Sequence, residues 1–302
     1  STAVALVKTG KGYFQARRHL KRIKPALVLG TGGYVCGPVV LAAAKLGIPT
    51  LLHEQNAYPG LTNRLLARVA DRICVTFPQS ASLFPAGREI VTTGLPIRSQ
   101  IMNTTREEGL AGLGLKEGFR ILIVGGSQGA RSINRAMLAV YKEMKDRTDL
   151  HWLHITGPAG YEEYLADLAR EGIDLSDYGN IRIMPYVHQM EQALSVADLV
   201  IGRAGASFLA EIMAKGLPSL LIPYPFAAEN HQEYNAKALV DSGAAMMIKE
   251  QDLSGVTLVN RIKELVDHRE HLEAMGKEAR ALGNPKAVDL IVEQIMSLVS
   301  NR

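Results

Sequence analysis

Only two cysteines, Cys36 and Cys74, occur in the 302 residues, both among apolar neighbours and without the spacing of metal ligands. A disulfide framework is excluded, nothing argues for secretion, and two buried thiols are expected. No apolar run approaches the ~18 residues that span a bilayer, and no secretory signal pattern opens the chain. A cytoplasmic protein fits best. Acid is missing from the first 53 residues, which hold Lys8, Lys11, Arg17, Arg18, Lys21, Arg22, Lys24 and Lys45 before the first carboxylate, Glu54. The remaining 26 basic residues face all 30 acidic ones, so the formal net charge of +4 arises from one segment. A basic face at one end points to a local anionic partner such as phosphate, nucleic acid or an acidic membrane, rather than to a generally cationic protein. The chain opens at Ser1 rather than at methionine, so the natural start is expected to lie upstream.

What the sequence does hold is two apolar strands that each run into a glycine-rich turn and then a helix: Leu27-Val-Leu-Gly-Thr-Gly-Gly-Tyr34 and Ile121-Leu-Ile-Val-Gly-Gly-Ser-Gln-Gly-Ala130. Without a Cβ, glycine lets backbone N–H groups crowd an anion, and the helix amino terminus adds partial positive charge. Diphosphate is the natural guest. Strand-like runs alternate with helical patterns along the chain, at 26–30, 50–53, 73–77, 90–93, 120–124, 152–156, 181–186, 199–201, 219–223 and 245–248. That alternation predicts an α/β protein of βαβ units with parallel sheets. A boundary is expected near Gly94-Leu-Pro-Ile-Arg98, giving domains 1–97 and 98–302. The first of these is short for a complete mononucleotide-binding unit. The segment from Asn284 begins with a helix-start signal and carries an apolar stripe, so 284–302 reads as a closing helix.

The loop Gly125–Ala130 suits a phosphate or, without any ligand, a tight strand-to-helix turn. It is not a dinucleotide fingerprint, because Ser127 and Ala130 stand where G-x-G-x-x-G needs glycine and the next strand ends in Thr156 rather than an acid. The first loop breaks the same spacing at Val35. Gly202-Arg-Ala-Gly-Ala-Ser-Phe-Leu-Ala-Glu211 repeats the strand, turn and helix, with a carboxylate that either accepts ribose hydroxyls or favours the helix dipole. Glu229-Asn-His-Gln-Glu-Tyr-Asn235 sets polar groups around another helix start, and His53-Glu-Gln-Asn56 ends a strand with four polar side chains, of which Glu54 could move a proton. Tyr13–Lys24 mixes aromatic and aliphatic residues with five lysines and arginines and His19, as helices lying on a membrane surface do and as ordinary solvated helices also do.

Taken together these residues resemble the MurG family of peptidoglycan glycosyltransferases, over essentially the whole chain. Gly30–Pro38 is similar to the family's second glycine loop, His53–Asn56 to its HEQN motif, and Gly125–Ala130 to its GGSQGA loop. Arg203-Ala-Gly-Ala206 with Glu211, and His231-Gln-Glu-Tyr-Asn235, resemble its donor-binding region. The resemblance implies a GT-B fold of two Rossmann-like domains facing a cleft, and inverting transfer of N-acetylglucosamine from UDP-N-acetylglucosamine to lipid I, giving lipid II. It places the uracil at Tyr186 and Val187 and the ribose on Glu211. The diphosphate falls near Ser127, Gln128, Gly129 and the helix start Ala206–Ser207–Phe208, and the sugar near Gln232 and Asn235. Arg98 and Arg203 would attend the phosphates. Gly32, Gly33, Tyr34 and Asn134 would hold the acceptor, and Glu54 and Asn56 would face the reacting centre. The closing helix would return to the first domain, and the basic start, residues 1–24, would meet an anionic membrane on its cytoplasmic face as a peripheral protein.

No Asp-x-Asp pair is present to bring a metal to the phosphates, so neither metal nor cofactor is expected, and helix amino termini carry that charge instead. Nucleic acid is not an expected partner. The family's first glycine loop, GGTGGH, has no counterpart here. Two other readings follow: a donor-binding fragment with little turnover, and an enzyme like the UDP-N-acetylglucosamine 2-epimerases, which share donor and fold.

Overall fold

A computed structural model describes residues 2–126 and 128–300, with side chains from residue 10 onward. The chain divides into two compact units, 1–96 with 285–302 and 97–284. Unit 1 begins with α1 (Thr2–Ile23), β1 (Val28–Gly30), α2 (Cys36–Lys45), β2 (Thr50–Glu54), α3 (Leu61–Leu66), β3 (Arg72–Val75) and β4 (Ile90–Thr92). Unit 2 holds α4 (Ser99–Asn103), α5 (Arg106–Leu113), β5 (Phe119–Val124), α6 (Arg131–Glu143), β6 (Leu150–Ile155), α7 (Tyr161–Arg170), β7 (Ile181–Met184) and α8 (Met190–Ser195). It continues with β8 (Leu199–Gly202), α9 (Ala206–Lys215), β9 (Ser219–Leu221), α10 (His231–Asp241), β10 (Ala245–Met247), α11 (Gly255–Asp267) and α12 (Arg269–Leu282). The last helix, α13 (Ala287–Ser300), groups with unit 1.

All ten strands expected from the alternation are present, and every pairing between them is parallel. Unit 1 orders them β1-β2-β3-β4, and unit 2 orders them β10-β9-β8-β5-β6-β7. In the second sheet the chain starts at β5 in the middle, winds outward through β6 and β7, then returns to the other side of β5 with β8. The strand order therefore reverses between β5 and β8, which is where open parallel sheets bind ligands at their carboxyl ends.

Parallel strands covered on both faces must be apolar throughout, and Ile121, Leu122, Ile123, Leu199, Val200 and Ile201 are fully buried. Each such side chain contributes roughly 1.5–3 kcal/mol through burial. Helices α6, α11 and α12 close one face through Ile133, Met137, Val140, Leu258, Ile262 and Met275. The core of unit 1 is smaller, around Val40, Leu52, Ile73 and Val75. Cys74 on β3 is buried, its thiol pushed up to about 11 by burial, whereas Cys36 is half-buried against that core.

Helix starts fall into two kinds. In α5 the Thr105 hydroxyl accepts from the Glu108 N–H and the Glu108 carboxylate accepts from the Thr105 N–H, a closed capping box. In α11 the Ser254 hydroxyl accepts from the Thr257 N–H. By contrast α2, α6 and α9 start at Val35, Ala130 and Gly205, none of which provides a side-chain cap. Their first N–H groups are left for another acceptor. Among the described residues, no helix is long and apolar enough to cross a membrane.

Candidate functional site

A cavity of about 1070 Å³ opens in unit 2 at the carboxyl ends of β5 to β8. Its floor is the glycine-rich turn after β5, with the starts of α6 and α9 on either side. Gly126 and Gly129 have φ of 90° and 78°, and the Gly129 N–H donates to the Gly126 carbonyl at 2.9 Å. A Cβ at Gly129 would lie 2.0 Å from the Thr156 carbonyl oxygen, and one at Gly157 would lie 2.5 Å from the Gln128 carbonyl oxygen. The turn after β5 thus packs backbone to backbone on the turn after β6, an approach that only glycine permits.

Arg98, Gln128, Gly129, Tyr186, Val187, Arg203, Ser207, Phe208, Glu211 and Gln232 all line this cavity, as the sequence reading grouped them. Ser127 lies outside the described residues, and Ala206 opens α9 beside the lining Gly205 and Ser207. Glu211 projects from the second turn of α9 toward Arg98, which stands 3.6 Å from Glu211 and 3.6 Å from Glu191. Burial raises the Glu211 carboxyl above its ordinary value; Arg98 pulls it back and the Glu191 charge adds to the rise. A half-buried carboxylate facing a cavity and sharing one guanidinium with Glu191 can take hydroxyl donors.

Three residues are held by partners within the protein. Arg203 is committed to the wall rather than open to an anion: its guanidinium donates to the Glu250 carboxylate at 2.5 Å, the Ile222 carbonyl at 3.0 Å and the Ser132 hydroxyl at 3.1 Å. Glu250 answers it, its carboxyl raised by burial but brought below the usual value by hydrogen bonds from Arg203 and Ser132. Asn235 is buried and donates to the Ala204 carbonyl at 3.1 Å, fixing the turn after β8 from behind. Asn134 belongs to unit 2, buried at 4 % exposure, with its amide bonded to Thr156 and His154, so it presents nothing to an acceptor. Gln232 lines the cavity, but its Oε1 is already taken by the Ala204 N–H at 3.1 Å and the Tyr224 N–H at 3.0 Å. Only its Nε2 remains for a ligand.

In unit 1, Gly32 and Gly33 have φ of 90° and 74°, and Tyr34 is exposed at the uncapped start of α2. The sequence reading gave Glu54 a proton-moving role; in the structure its carboxylate is engaged by donors of its own turn. Its carboxylate is 2 % exposed and accepts four hydrogen bonds: from Asn56 N at 3.0 Å, Asn56 Nδ2 at 3.2 Å, Gly60 N at 3.1 Å and Asn63 Nδ2 at 2.8 Å. It is the anchor of the turn from β2 to α3. A smaller cavity of about 320 Å³ is faced by His53 and Gln55 instead, because side chains alternate along an extended strand. His53 donates from Nε2 to the Gly94 carbonyl at 2.9 Å and accepts from Gln55 at Nδ1, and burial lowers its pKa. Replacing Glu54 by alanine strands these buried donors and is expected to lower the stability of unit 1 by about 2–4 kcal/mol, read as an earlier urea midpoint for that unit. An unchanged midpoint would contradict the anchoring role.

Comparison with known proteins bears on this arrangement directly. The family model of the glycosyltransferase family 28 C-terminal domain matches residues 120–292, and that of its N-terminal domain matches residues 2–75. The crystal structure of MurG from Acinetobacter baumannii superposes with a TM-score of 0.79 at 35% identity, covering 96% of this chain and 80% of that one. The chain belongs to the MurG family within glycosyltransferase family 28. A relative in Moorella thermoacetica is 52% identical over 298 residues, 98% of this chain and 80% of its own. It is named UDP-N-acetylglucosamine--N-acetylmuramyl-(pentapeptide) pyrophosphoryl-undecaprenol N-acetylglucosamine transferase. UDP-GlcNAc 2-epimerase from Neisseria meningitidis has a TM-score of 0.67 at 15% identity, with 96% of this chain and 81% of that one covered, a likeness of fold alone. The two parallel-sheet units are those of the GT-B glycosyltransferase fold.

Several residues around the cavity of this glycosyltransferase escape sequence reasoning. Glu191, Ser132 and Glu250 come from α8, the first turn of α6 and the segment after β10, so only the sheet order brings them together. Tyr224 carried a signal in the Pro-rich turn 223–226; in the structure its ring lies 5.6 Å from the Arg203 guanidinium.

Proposed function

We propose that this glycosyltransferase moves N-acetylglucosamine from UDP-N-acetylglucosamine to N-acetylmuramyl-(pentapeptide) pyrophosphoryl-undecaprenol. The observation that carries the reading is the convergence, in one cavity, of a glycine-rich turn, two uncapped helix starts and a half-buried carboxylate. Those are the groups a nucleoside diphosphate sugar requires: N–H donors for the phosphates and an acceptor for the ribose hydroxyls. The diphosphate lies on Gln128, Gly129 and the start of α9 at Ala206–Phe208, and the exposed Arg98 adds charge. Glu211 accepts the ribose hydroxyls, and the uracil stacks by Tyr186 with its edge on the Val187 backbone. Gln232 Nε2 reaches the sugar, while Arg203 and Asn235 brace the turns that present these groups.

The acceptor hydroxyl attacks the anomeric carbon from the side opposite UDP and gives its proton to solvent as the glycosidic bond forms, while the carbon–oxygen bond to the diphosphate breaks with inversion and its electron pair leaves on UDP. Charge then gathers on the departing β-phosphate, where fixed N–H dipoles of α6 and α9 stabilise it without reorganising. Gly32, Gly33 and Tyr34 hold the pyrophosphate of the acceptor, and Asn56, braced by Glu54, contacts its sugar. If UDP release rises when a lipid-linked acceptor analogue is added to enzyme and UDP-N-acetylglucosamine, the transfer reading stands; release that ignores the acceptor contradicts it.

A lipid-linked acceptor places the enzyme at a membrane as a peripheral protein on its cytoplasmic face, and α1 is the contact. Tyr13 and Leu20 pack toward α2, whereas Phe14, Arg17, Arg18, Lys21 and Arg22 are exposed. Cations near an anionic bilayer contribute about 1 kcal/mol each. Reversing the charge of Arg17, Arg18, Lys21 and Arg22 is expected to abolish co-flotation with vesicles rich in anionic lipid, and retention of the reversed protein would contradict this contact.

A further inference from the structure

The glycine-rich turn is held by a buried chain of hydrogen bonds whose members stand behind the cavity lining. Thr156, Asn134, His154 and Tyr141 are all at most 4 % exposed. Asn134 Nδ2 donates to the Thr156 carbonyl at 3.0 Å, His154 Nε2 donates to Asn134 Oδ1 at 3.0 Å, and the Tyr141 hydroxyl donates to His154 Nδ1 at 3.0 Å. The direction of every proton follows from one end. A carbonyl can only accept, so the amide of Asn134 must turn Nδ2 toward Thr156 and Oδ1 toward His154. His154 must then carry its proton on Nε2, which leaves Nδ1 to accept from Tyr141. Burial brings the His154 pKa down to about 3, so the imidazole stays neutral and this order does not change near neutral pH.

Asn134 and Tyr141 are seven residues apart on α6, on one face of the helix, and both are tied to His154 on β6. The Thr156 carbonyl is also the oxygen that stands where a Cβ of Gly129 would be. The Asn134 N–H in turn donates to the Ala130 carbonyl at 2.9 Å, at the end of the glycine-rich turn. One buried amide thus joins the first turn of α6, the end of β6 and the loop that lines the cavity.

We propose that Asn134, oriented by His154, is a positioning residue that holds Gly129, Ala130 and the start of α6 in the geometry that receives the donor diphosphate. The proposal rests on the donor reading above. Asn134 and His154 touch no substrate; they remove the cost of ordering a glycine-rich loop when the phosphates arrive.

Calorimetry with UDP, thermal melting and steady-state kinetics on the full chain test it together. Asn134→Ala and Asn134→Asp are expected to raise the Kd for UDP and the KM for UDP-N-acetylglucosamine about tenfold, with kcat changed much less. In the aspartate variant a carboxylate oxygen faces the Thr156 carbonyl, so its binding falls at least as far. Val140→Ala, a core truncation on the same helix, lowers Tm while leaving the UDP Kd within about twofold. If Asn134→Ala lowers Tm like Val140→Ala but binds UDP as the parent does, Asn134 is structural only and the proposal is overturned. Should Asn134→Ala not fold, His154→Gln, which keeps an amide donor toward Asn134, is expected to stay within about threefold of the parent Kd; His154→Leu is expected to lose about tenfold, and equal Kd values for the two overturn the proposal. Parent protein that fails to bind UDP overturns the donor reading itself.

Discussion

Replacing Glu211 by glutamine is expected to raise the Kd for UDP-N-acetylglucosamine by roughly 30–150-fold, or about 2–3 kcal/mol, the loss of charge-assisted hydrogen bonds to two ribose hydroxyls. The same change should leave the protein as stable as before or more so. Burial raises the Glu211 carboxyl in the folded state, so the folded chain holds its proton to higher pH than the unfolded chain does. Stability therefore falls as pH rises from the unfolded value through the folded one, and at neutral pH the ionised group carries its full cost. Glutamine removes that cost and the function with it. The pH dependence of binding runs the other way: affinity is full above the folded pKa and weakens as acid protonates Glu211, earlier than for an exposed glutamate. Isothermal titration across this range with parent and Glu211→Gln separates the two, and an unchanged Kd in the variant would remove Glu211 from the site.

Gly129→Ala is expected to be more damaging still. Its φ of 78° is costly for any residue with a Cβ, and the added atom would meet the Thr156 carbonyl oxygen at 2.0 Å. Neither partner can move freely, because Thr156 is tied to Asn134 and Gly129 donates to Gly126. A loss of about 3 kcal/mol or more in the stability of unit 2 is expected, with UDP binding below detection even where the chain still folds. Gly126→Ala is the informative comparison, since its φ of 90° brings strain but no atom lies within 4 Å of the added Cβ. A Gly129→Ala variant that unfolds with the parent's urea midpoint would mean that the two turns do not pack as described.

The strands and glycine turns were legible because both depend on local chemistry: short apolar runs between helical patterns, and a residue without Cβ where backbone crowds backbone. The residues grouped around the large cavity were legible for the same reason, sitting on strand-to-helix turns or in the first turns of the helices that follow. What was hidden depends on partners distant in the chain. Glu54 reads as a free carboxylate at a strand end until Gly60 and Asn63 fold back onto it. Asn134 reads as a polar residue early in a helix until β6 brings His154 and Thr156 against it. Arg203 looks like a phosphate ligand, yet Glu250, 47 residues on, takes its charge. The strand β2 is buried on both faces, so burial alone could not tell that His53 and Gln55, rather than Glu54, face the small cavity.

The defining reaction is transfer of a sugar from nucleotide to lipid. Incubating the enzyme with UDP-N-acetylglucosamine radiolabelled in the sugar and a lipid-linked N-acetylmuramyl-pentapeptide acceptor, then partitioning into butanol, tests it most directly. Label that moves into the organic phase only when acceptor is present is the predicted result. Label that stays in water and is recovered as N-acetylmannosamine, free or on UDP, would contradict the account and assign the donor site to the chemistry of the epimerases that share this fold.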